Sequence, residues 1–582
     1  MKSDDIKEDV RKIFIDIFPE LRGKKFDFKK QQRDFRSWDS YAHMSVVAAL
    51  EEKLGVSLPI EKIIDADSPM KFVEVVQEAA QKGAGIEATH SIGSNFPDIL
   101  RLRAKESPEK TFLTSVERDR SYSYREFNGL VNSCARFLQK QKVKRGDVVL
   151  LSVRNSIEFL SIYFATMRLG AIINLVPSTV AEKELAAQIV YLKPKLACVE
   201  KDLQKKGVFK VEFDKKPFLR SLEAFSTEDP GIEINADAPS CLFYSSGTTA
   251  EPKGILFSQK GVLNMAHLLS REFSHSSKSV HFGILPMGHT SVMHHCLLPM
   301  LYVGGTFVFS ENFMNVRKNF WKIIESYKIN YVQTVPTILL MILSSVYTDY
   351  NKKKLALQFV ACGSAPLPEQ TKKDFERKFG LPIANMYGLS EAGHMIDDYP
   401  FDIPWTPGMI GRPMQDVDIR LLDEKGTEVK TAEVGEIAVK TPSLFMGYYK
   451  NEKLTKASMK GGYFCTGDLA FKDKAGIFYF ADRKKDLIIK GGVNISPNLI
   501  DEVLLKDPAV DEAASVGKKD AFFGEVIKSF VVLRSGKKTS EKALIAFCKR
   551  KLGDFKAPSE IEFVNMIPKT FSGKILKRSL RK

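Results

Sequence analysis

The chain has 582 residues, of which 44% are apolar and 27% charged, so collagen-like, low-complexity and small disulfide-bonded scaffolds are excluded. At ~150 residues per domain, this length predicts about three to four domains. The formal charge of +16 comes from 87 basic and 71 acidic residues that are spread along the chain, which favours a solvated surface over a nucleic-acid-binding face.

The cysteines and the apolar runs indicate the compartment. Seven cysteines occur singly, without the CxxC spacing of a zinc site or redox pair. No apolar run reaches the ~20 residues that a membrane span needs. Residues 1–19 interleave acidic and basic side chains with Ile and Phe, unlike a secretory signal. We therefore expect a cytoplasmic protein without a membrane span, a structural zinc or a nucleic-acid partner.

Residues 1–82 predict an all-α unit of four helices. A short turn of helix fits at Pro59–Ile64, and the glycine-containing segment 83–93 is predicted as a linker. Three other stretches place apolar residues at helical spacing. These are Ile6, Val10, Ile13, Phe14 and Phe18; Val46, Val47, Leu50 and Leu54; and Phe72, Val75, Val76 and Ala79.

The segment before the second helix contains Asp39 and Ser40. Either residue alone would be an ordinary helix N-cap. The segment as a whole resembles an acyl carrier protein, in which the serine of an Asp-Ser motif carries a phosphopantetheine arm. The resemblance implies phosphopantetheine on Ser40, where a helix N-terminus favours a phosphodiester. It also implies a phosphopantetheinyl transferase as a partner.

From residue 94 onward, strand-like and helix-like patterns alternate. Val148–Arg154 is a short buried strand, residues 156–169 have helical periodicity, and residues 171–176 are again apolar. Such alternation predicts an α/β architecture with largely parallel sheets.

A strand ending near Tyr244 continues into a loop of hydroxyl side chains, glycines and one lysine, residues 245–254. Glycines let backbone amides approach a polyphosphate, hydroxyls donate hydrogen bonds, and Lys253 supplies charge. The order of residues is not that of a Walker A loop. Taken alone, the stretch could equally be a polar loop rich in turn-forming residues.

The loop resembles the Ser-Gly-Thr-Thr-Gly-x-Pro-Lys-Gly loop of the adenylate-forming superfamily, which includes acyl-CoA synthetases, adenylation domains and luciferases. Five later segments resemble that family's landmarks in order: Cys362–Leu367, Asn385–Glu391, Gly462–Asp468, Asp482–Pro497 and Pro568–Lys574. The resemblance implies a large α/β adenylation domain over 94–482 and a small, mobile α+β C-terminal domain over 483–582. Both follow the carrier-like bundle.

The resemblance also implies a nucleotide site. The phosphate-binding residues would be Ser245, Thr248, Thr249 and Lys253. The adenosine-binding residues would be Ser364, Ala365, Tyr387, Asp468 and Arg483. Glu391 and Thr249 would hold Mg²⁺, which prefers oxygen ligands.

The C-terminal landmarks imply the moving parts of the enzyme. Lys574 would lie between the substrate carboxylate and the α-phosphate, where a cation offsets the repulsion of two anions. Lys485 would be the hinge, and Gly491 and Gly492 would line a pantetheine tunnel. Asp482 stands where the family has glycine, a change expected to matter little.

The acid-binding residues are less clearly marked. Residues 285–295 lack the aspartate with which amino-acid-activating domains bind an ammonium group. His289 resembles the gate of fatty- and aryl-acid ligases, and Gly363 is placed beside the acid. His294 and His295 are expected to pack the helix rather than to line a pocket. These features favour a fatty or aromatic acid with an uncharged tail.

Together these motifs predict an ATP-dependent ligase that forms acyl-AMP and passes the acyl group to a phosphopantetheine thiol. A carrier on the same chain raises the effective thiol concentration, so Ser40 is the expected acceptor, with downstream carrier-dependent enzymes as partners. The alternative is an acyl-CoA synthetase that uses free coenzyme A. A non-enzymatic nucleotide-binding or acyl-adenylate-binding scaffold is disfavoured by the presence of Lys574, Glu391 and Asp468.

Overall fold

The computed structural model divides into two compact units, Met1–Gly93 and Ser94–Lys582. Within the described part, no helix is both long and apolar enough to cross a membrane. The structure describes residues 3–35, 37–38, 42–43, 46–47, 49–50, 53, 66–77, 95–201, 207–211, 218–245, 253–347, 350–569 and 575–581.

The first unit is built around an aromatic core. Helix α1 (Ser3–Ile17) is followed by 3₁₀ turns at Pro19–Leu21 and Gln32–Asp34, and residues 69–77 are helical. The ring of Phe14 is fully buried, and the rings around it have centroids within 6.2 Å: Phe18, Phe26, Phe35, Trp38 and Phe72.

The three predicted stripes are buried wherever the first unit is described. Aromatic side chains dominate the energetics of so small a core because each removes a large apolar area from water. Leu54, Pro59–Ile64, Ala79 and Ser40 lie outside the described residues.

Within its described residues, the second unit contains three β-sheets. Their strands are β1 (Thr111–Ser115), β2 (Arg120–Ser123), β3 (Val148–Ser152), β4 (Ile172–Leu175), β5 (Leu196–Val199), β6 (Val208–Lys210), β7 (Pro239–Ser245), β8 (Lys253–Ser258), β9 (Val280–Gly283), β10 (Thr306–Phe309), β11 (Tyr331–Thr334), β12 (Val360–Gly363), β13 (Ile383–Leu389), β14 (Gly393–Asp397), β15 (Met409–Pro413), β16 (Asp418–Leu422), β17 (Gly435–Lys440), β18 (Gly447–Tyr448), β19 (Met459–Lys460), β20 (Tyr463–Lys472), β21 (Phe478–Arg483), β22 (Ile488–Lys490), β23 (Val493–Ile495), β24 (Val510–Asp520), β25 (Gly524–Leu533) and β26 (Glu560–Phe563).

The helices of this unit connect and cover those strands. They are α2 (Phe96–Glu106), α3 (Tyr124–Lys140), α4 (Ile157–Arg168), α5 (Glu182–Leu192), α6 (Phe218–Leu222), α7 (Gln259–Glu272), a π-helix (Ser291–Leu297), α8 (Leu298–Val303), α9 (Phe313–Val316), α10 (Phe320–Ser326), α11 (Pro336–Leu343), α12 (Glu369–Phe379), α13 (Glu452–Ala457), α14 (Pro497–Leu504), α15 (Glu541–Leu552) and α16 (Lys577–Leu580); short 3₁₀ turns lie at Arg317–Asn319, Lys352–Lys354 and Lys484–Asp486.

The two larger sheets confirm the predicted α/β architecture. One has the order β18-β8-β7-β4-β3-β5-β6, and the other runs β16-β17-β20-β21-β15-β14-β13-β12-β11-β9-β10-β1-β2 with β19 beside β20. The strands from β7 to β6, and those from β13 to β1, are parallel neighbours. Helix α4 is buried along its whole length, as expected of a crossover between β3 and β4.

The C-terminal part has its own sheet and core. Its order is β23-β22-β25-β24, with β26 parallel to β25. Helices α14 and α15 cover this sheet, and their apolar faces share one buried cluster with Ile488, Ile527 and Val531. A separate core is what allows such a part to be treated as a domain.

Candidate active site

Strands β7 and β8 flank the predicted phosphate loop. Ser245 at the end of β7 pairs with Lys253 at the start of β8. The loop between them, with Thr248 and Thr249, lies outside the described residues, as does the Ser245 side chain. The pairing of β7 with β8 therefore fixes the two ends of the predicted phosphate loop.

A tyrosine that was not predicted connects Lys253 to Glu391. The Lys253 ammonium lies 5.5 Å from the centre of the Tyr448 ring, and the Tyr448 hydroxyl donates to Glu391 Oε1 at 3.0 Å. Burial and the neighbouring Glu391 carboxylate raise the pKa of Tyr448, so its hydroxyl stays protonated and remains a donor. Lys253, the predicted phosphate-binding residue, and Glu391, the predicted magnesium ligand, thus both contact the side chain of Tyr448.

Glu391 lies on the turn between β13 and β14, and its side chain is partly accessible. Its backbone carbonyl accepts from the Phe445 amide at 2.8 Å, which fixes the turn. Among the described residues there is no cluster of three or more His, Cys, Asp or Glu that could hold a metal ion alone. A single accessible carboxylate nevertheless suits Mg²⁺, which commonly takes one or two protein carboxylates plus substrate phosphates and water.

Three of the predicted adenosine-binding residues lie together: Tyr387, Asp468 and Arg483. Asp468 is only 3% exposed; it accepts from the Tyr387 hydroxyl at 2.8 Å and forms an ion pair with Arg483 Nε at 3.1 Å. The antiparallel register pairs Asp468 on β20 with Arg483 on β21. Burial, and then Asp468, raises the pKa of Tyr387 well above its usual range. A rigid carboxylate results, whose remaining lone pairs suit ribose hydroxyls.

Ser364 and Ala365 follow the end of β12, next to the strand that carries Tyr387. Ser364 has a φ of +69°, so the chain turns sharply there. A Cβ at the preceding Gly363 would lie 2.8 Å from the Met386 carbonyl oxygen, which explains the glycine. The predicted adenine-side loop is therefore brought against β13, the strand of Tyr387.

The predicted hinge lies near the same residues. Lys485 is in the 3₁₀ turn Lys484–Asp486, and its pKa is lowered by burial first and then by the charge of Arg483, with Lys253 adding to the effect. Gly491 and Gly492 form the two-residue turn between β22 and β23, with φ of +55° and +79°. Such angles favour glycine at both positions.

Lys574 lies outside the described residues. Its segment is bracketed by Lys569 and Ile575, which pair as an antiparallel bridge. The adjoining helix α16 is fixed by Lys577, which forms an ion pair with Asp501 at 3.2 Å. The structure thus fixes the residues on both sides of the segment that contains the predicted catalytic lysine.

Asp482 has a larger role than the sequence suggested. It is 2% exposed, and its carboxylate accepts from Ser496 Oγ at 2.5 Å and from the Asn498 amide at 3.1 Å. It therefore links β21 to the start of α14, on either side of the predicted hinge. Ser496 and Asn498 lie 14 and 16 positions after Asp482, so no local sequence pattern indicates these contacts.

The predicted acid-binding segment leads into a π-helix. His289 is exposed in the turn before it, and the side chain of Asn155 holds this turn by donating to the Leu285 carbonyl and accepting from the Met287 amide. The π-helix Ser291–Leu297 carries His294 and His295. π-Helices are rare and often occur at functional sites, and no sequence pattern had indicated one.

The two neighbouring histidines have different surroundings. His294 is fully buried, with its ring nearly perpendicular to the rings of Phe243 and Phe257 at 5.0 and 5.6 Å, which agrees with the predicted packing role. His295 is partly accessible, and its Nδ1 lies 3.4 Å from Gln333 Nε2. Burial lowers the pKa of both rings to about 3, so both are neutral at physiological pH.

Comparison with known proteins agrees with this geometry. Residues 100–449 match the AMP-binding enzyme family, and residues 499–574 match the AMP-binding enzyme C-terminal domain. A sulfoacetate–CoA ligase of Cupriavidus necator is 29% identical over 496 residues, which cover 83% of this chain and 96% of that protein. A 2-succinylbenzoate–CoA ligase of Bacillus mycoides is 29% identical over 498 residues, 84% and 98% of the two chains.

Solved structures show the same fold. ATP-bound MatB from Rhodopseudomonas palustris superposes with a TM-score of 0.77 at 26% identity, covering 84% of this chain and 98% of that one. An o-succinylbenzoate coenzyme A synthetase of Bacillus subtilis, in complex with AMP, gives 0.74 at 25% identity, covering 83% and 98%.

The fold and the site define an AMP-forming acid–thiol ligase with a large N-terminal and a small C-terminal domain. The chain belongs to the AMP-binding enzyme family. Enzymes of this class use ATP and Mg²⁺, for which Lys253, Glu391 and Asp468 are predicted binding residues. The likeness of residues 1–82 to an acyl carrier protein stays a prediction.

Proposed function

We propose that this enzyme activates a fatty or aromatic carboxylic acid as acyl-AMP and transfers the acyl group to the thiol of coenzyme A. The observation that carries the proposal is the joining of Lys253, Tyr448 and Glu391 in one chain of contacts, in the same domain as the Tyr387–Asp468–Arg483 cluster. The names of the relatives, which are CoA ligases, favour coenzyme A over the carrier-bound thiol as acceptor.

In the first step a carboxylate oxygen of the acid attacks the α-phosphorus of ATP. The P–O bond to the β-phosphate breaks, and pyrophosphate leaves with the bonding electrons. Asp468 and Arg483 would hold the ribose while Lys253 faces the leaving phosphates. Mg²⁺ held by Glu391 would neutralise their charge. Lys574 would lie between the two reacting anions and stabilise charge on the α-phosphoryl oxygens.

In the second step the thiol of coenzyme A, as its thiolate, attacks the acyl carbon of the mixed anhydride. A thioester bond forms, the bond to the phosphate oxygen breaks, and AMP leaves. We place the pivot for this step at Lys485, so that Lys574 withdraws and the Gly491–Gly492 turn approaches the thiol. Asp482, which holds Ser496 and the Asn498 amide, would change partners in that movement.

The acceptor is tested with the full chain, ATP, Mg²⁺, a panel of acids, and one of two acceptors: free coenzyme A, or the chain's own Ser40 after treatment with a phosphopantetheinyl transferase and coenzyme A followed by removal of all free coenzyme A. We expect acyl-CoA to form, and a Ser40→Ala variant to make it at the same rate. Intact mass of the protein after the transferase reaction reports acylation of Ser40 directly. Acylated Ser40 without any acyl-CoA would refute coenzyme A as the acceptor.

Ser40 is the second candidate acceptor. It is favoured by the Asp39–Ser40 sequence and by the buried aromatic core of the helical unit in which that sequence occurs. A thiol tethered to the same chain would reach millimolar effective concentration if the linker spans the distance to the site.

A further inference from the structure

His295 ends a chain of hydrogen bonds that points in one direction. Burial raises the pKa of the Cys296 thiol to about 12, so the thiol stays protonated and donates to Gln333 Oε1, with the sulfur 3.7 Å away. That bond fixes the orientation of the Gln333 amide, and leaves its Nε2 to donate to His295 Nδ1.

The chain of bonds determines the tautomer of His295. Because Nδ1 accepts from Gln333 and burial keeps the ring neutral, the single ring proton is on Nε2. This N–H is buried, and no hydrogen-bond partner for it is found among the residues the structure describes. Burying a donor without a partner is costly, so a native protein normally supplies an acceptor or leaves the donor for a ligand.

The exposure of residues along the π-helix relates His295 to the predicted acid gate. His295 is partly accessible as a residue, whereas its Nε2 exposes less than 1 Å², so the side chains that cover this N–H must shift before a ligand atom contacts it. Ser291, four positions earlier on the π-helix, is also partly accessible and lies on the same helix face. The exposed His289 lies at the start of this helix. His289, Ser291 and His295 are therefore at least partly accessible, and they lead from the predicted acid gate along the π-helix.

Gln333 relates His295 to the predicted reaction site. It lies on β11, where it pairs with Ala361 on β12, two residues before the predicted acid-binding Gly363. The neighbouring His294 packs against Phe243, which lies two residues before Ser245 on the strand that enters the phosphate loop. His295 thus lies deeper in the domain than the strand ends where the acid's carboxylate would react.

We infer that His295 Nε2–H binds an uncharged acceptor oxygen, such as a keto or ether oxygen, in the tail of the acid, and thereby selects oxygenated acids over plain alkyl or aryl acids. This inference rests on the proposed function for the position of the acid. A second carboxylate is disfavoured as the ligand because it would lose its hydration beside a ring that burial keeps uncharged.

The test compares hexanoic acid, its 3-, 4- and 5-oxo derivatives and hexanedioic acid, together with the corresponding ten-carbon acids. Acid-dependent pyrophosphate exchange gives kcat/KM, and calorimetry without ATP gives acid binding. We expect one oxo acid to be favoured over its plain counterpart about 10- to 100-fold, because an acid without the keto oxygen leaves the His295 N–H unpaired.

Two variants at one position separate the donor from the fold. His295→Gln places an amide N–H near the position of Nε2 and should keep the preference within about threefold, since one hydrogen bond is replaced by another. His295→Asn keeps a group near Nδ1 for Gln333 but has none near Nε2, and should bring the preference close to one. His267→Phe is the matched control, because the His267 ring bonds the Tyr302 hydroxyl at 3.0 Å instead.

The outcomes distinguish this inference from the proposed function. Exchange with plain acids, no preference for any oxo acid, and identical ratios in both His295 variants would overturn the inference and leave the function standing. Preference for the dicarboxylic acid would also overturn it. An oxo-acid preference in binding that His295→Asn abolishes, without exchange from any acid, would support the inference and refute the function.

Discussion

The predicted nucleotide end of the site and its predicted acid end are built differently. At the nucleotide end Asp468 contacts both Tyr387 and Arg483, and Glu391 contacts Tyr448, so the polar groups are held before any ligand binds. At the acid end the His295 N–H has no described partner. The contrast is what one expects if ATP recognition is preorganised while the substrate itself completes the acid pocket.

The largest effect should come from Lys574→Ala. Removing the cation between the two reacting anions should slow acyl-AMP formation by about 10²- to 10³-fold, the range for losing one electrostatic contact in a transition state. Thioester formation from synthetic acyl-AMP should change little, because that step does not require this lysine. Lys569→Ala, which removes a partly exposed ion pair with Glu512, is the control. Equal loss in both steps would contradict the assigned role.

Asp468→Asn should have the next largest effect and would test how far the nucleotide end depends on its fixed carboxylate. The variant loses the ion pair with Arg483 and leaves that cation poorly neutralised. We expect the KM for ATP to rise about 10- to 100-fold, equivalent to one to two charge-assisted hydrogen bonds. Asp473→Asn, a carboxylate of the turn after β20, provides a control. An unchanged KM would exclude Asp468 from the nucleotide site.

Tyr448→Phe should have a smaller effect. The ring beneath Lys253 is kept, while the hydrogen bond to Glu391 is lost. We expect the Mg²⁺ concentration for half-maximal exchange to rise about 3- to 10-fold, because one hydrogen bond contributes about 0.5–1.5 kcal/mol. Tyr449→Phe, in the neighbouring position, should behave as wild type. If both variants behave as wild type, the hydrogen bond from Tyr448 does not position Glu391.

The smallest effect concerns the carboxyl group of Glu272. Burial and the charge of Asp397 raise the pKa of Glu272 to about 7, with opposing effects from His394 and Arg271. A raised pKa means that the folded state binds the extra proton, so this group stabilises the fold at low pH and loses that contribution as the pH rises through about 7.

Glu272→Gln should therefore stabilise the protein at pH 8 relative to wild type by about 1 kcal/mol, and have less effect at pH 5. Thermal unfolding at both pH values measures the difference. Comparison with wild type isolates Glu272 from the buried histidines, whose lowered pKa values act in the opposite direction. A larger effect at pH 5 would refute the assignment.

Site residues could be proposed from the sequence wherever the signal is a local motif. The Tyr387 and Asp468 segments and the glycine turn at 491–492 are each contained in a short stretch whose residue types reflect the expected chemistry, and the structure brings Tyr387, Asp468 and Arg483 into contact. The alternating strands and helices followed from apolar periodicity for the same reason.

The rest depends on contacts between distant positions. Tyr448 and Glu391 are 57 positions apart, and His295 and Gln333 are 38 apart. Neither pair has a local sequence signal, because the pairing arises only when the strands assemble. The π-helix could not be read from periodicity, and the buried role of Asp482 depends on residues beyond the hinge.

The central claim is that a carboxylate oxygen of the acid becomes bonded to the α-phosphorus of ATP. It is tested most directly by supplying a turned-over acid labelled with ¹⁸O in both carboxyl oxygens and examining the nucleotide product by mass spectrometry. The account predicts AMP that carries one labelled oxygen in its phosphate, formed together with unlabelled pyrophosphate. Unlabelled AMP, or ADP with labelled phosphate, would contradict it.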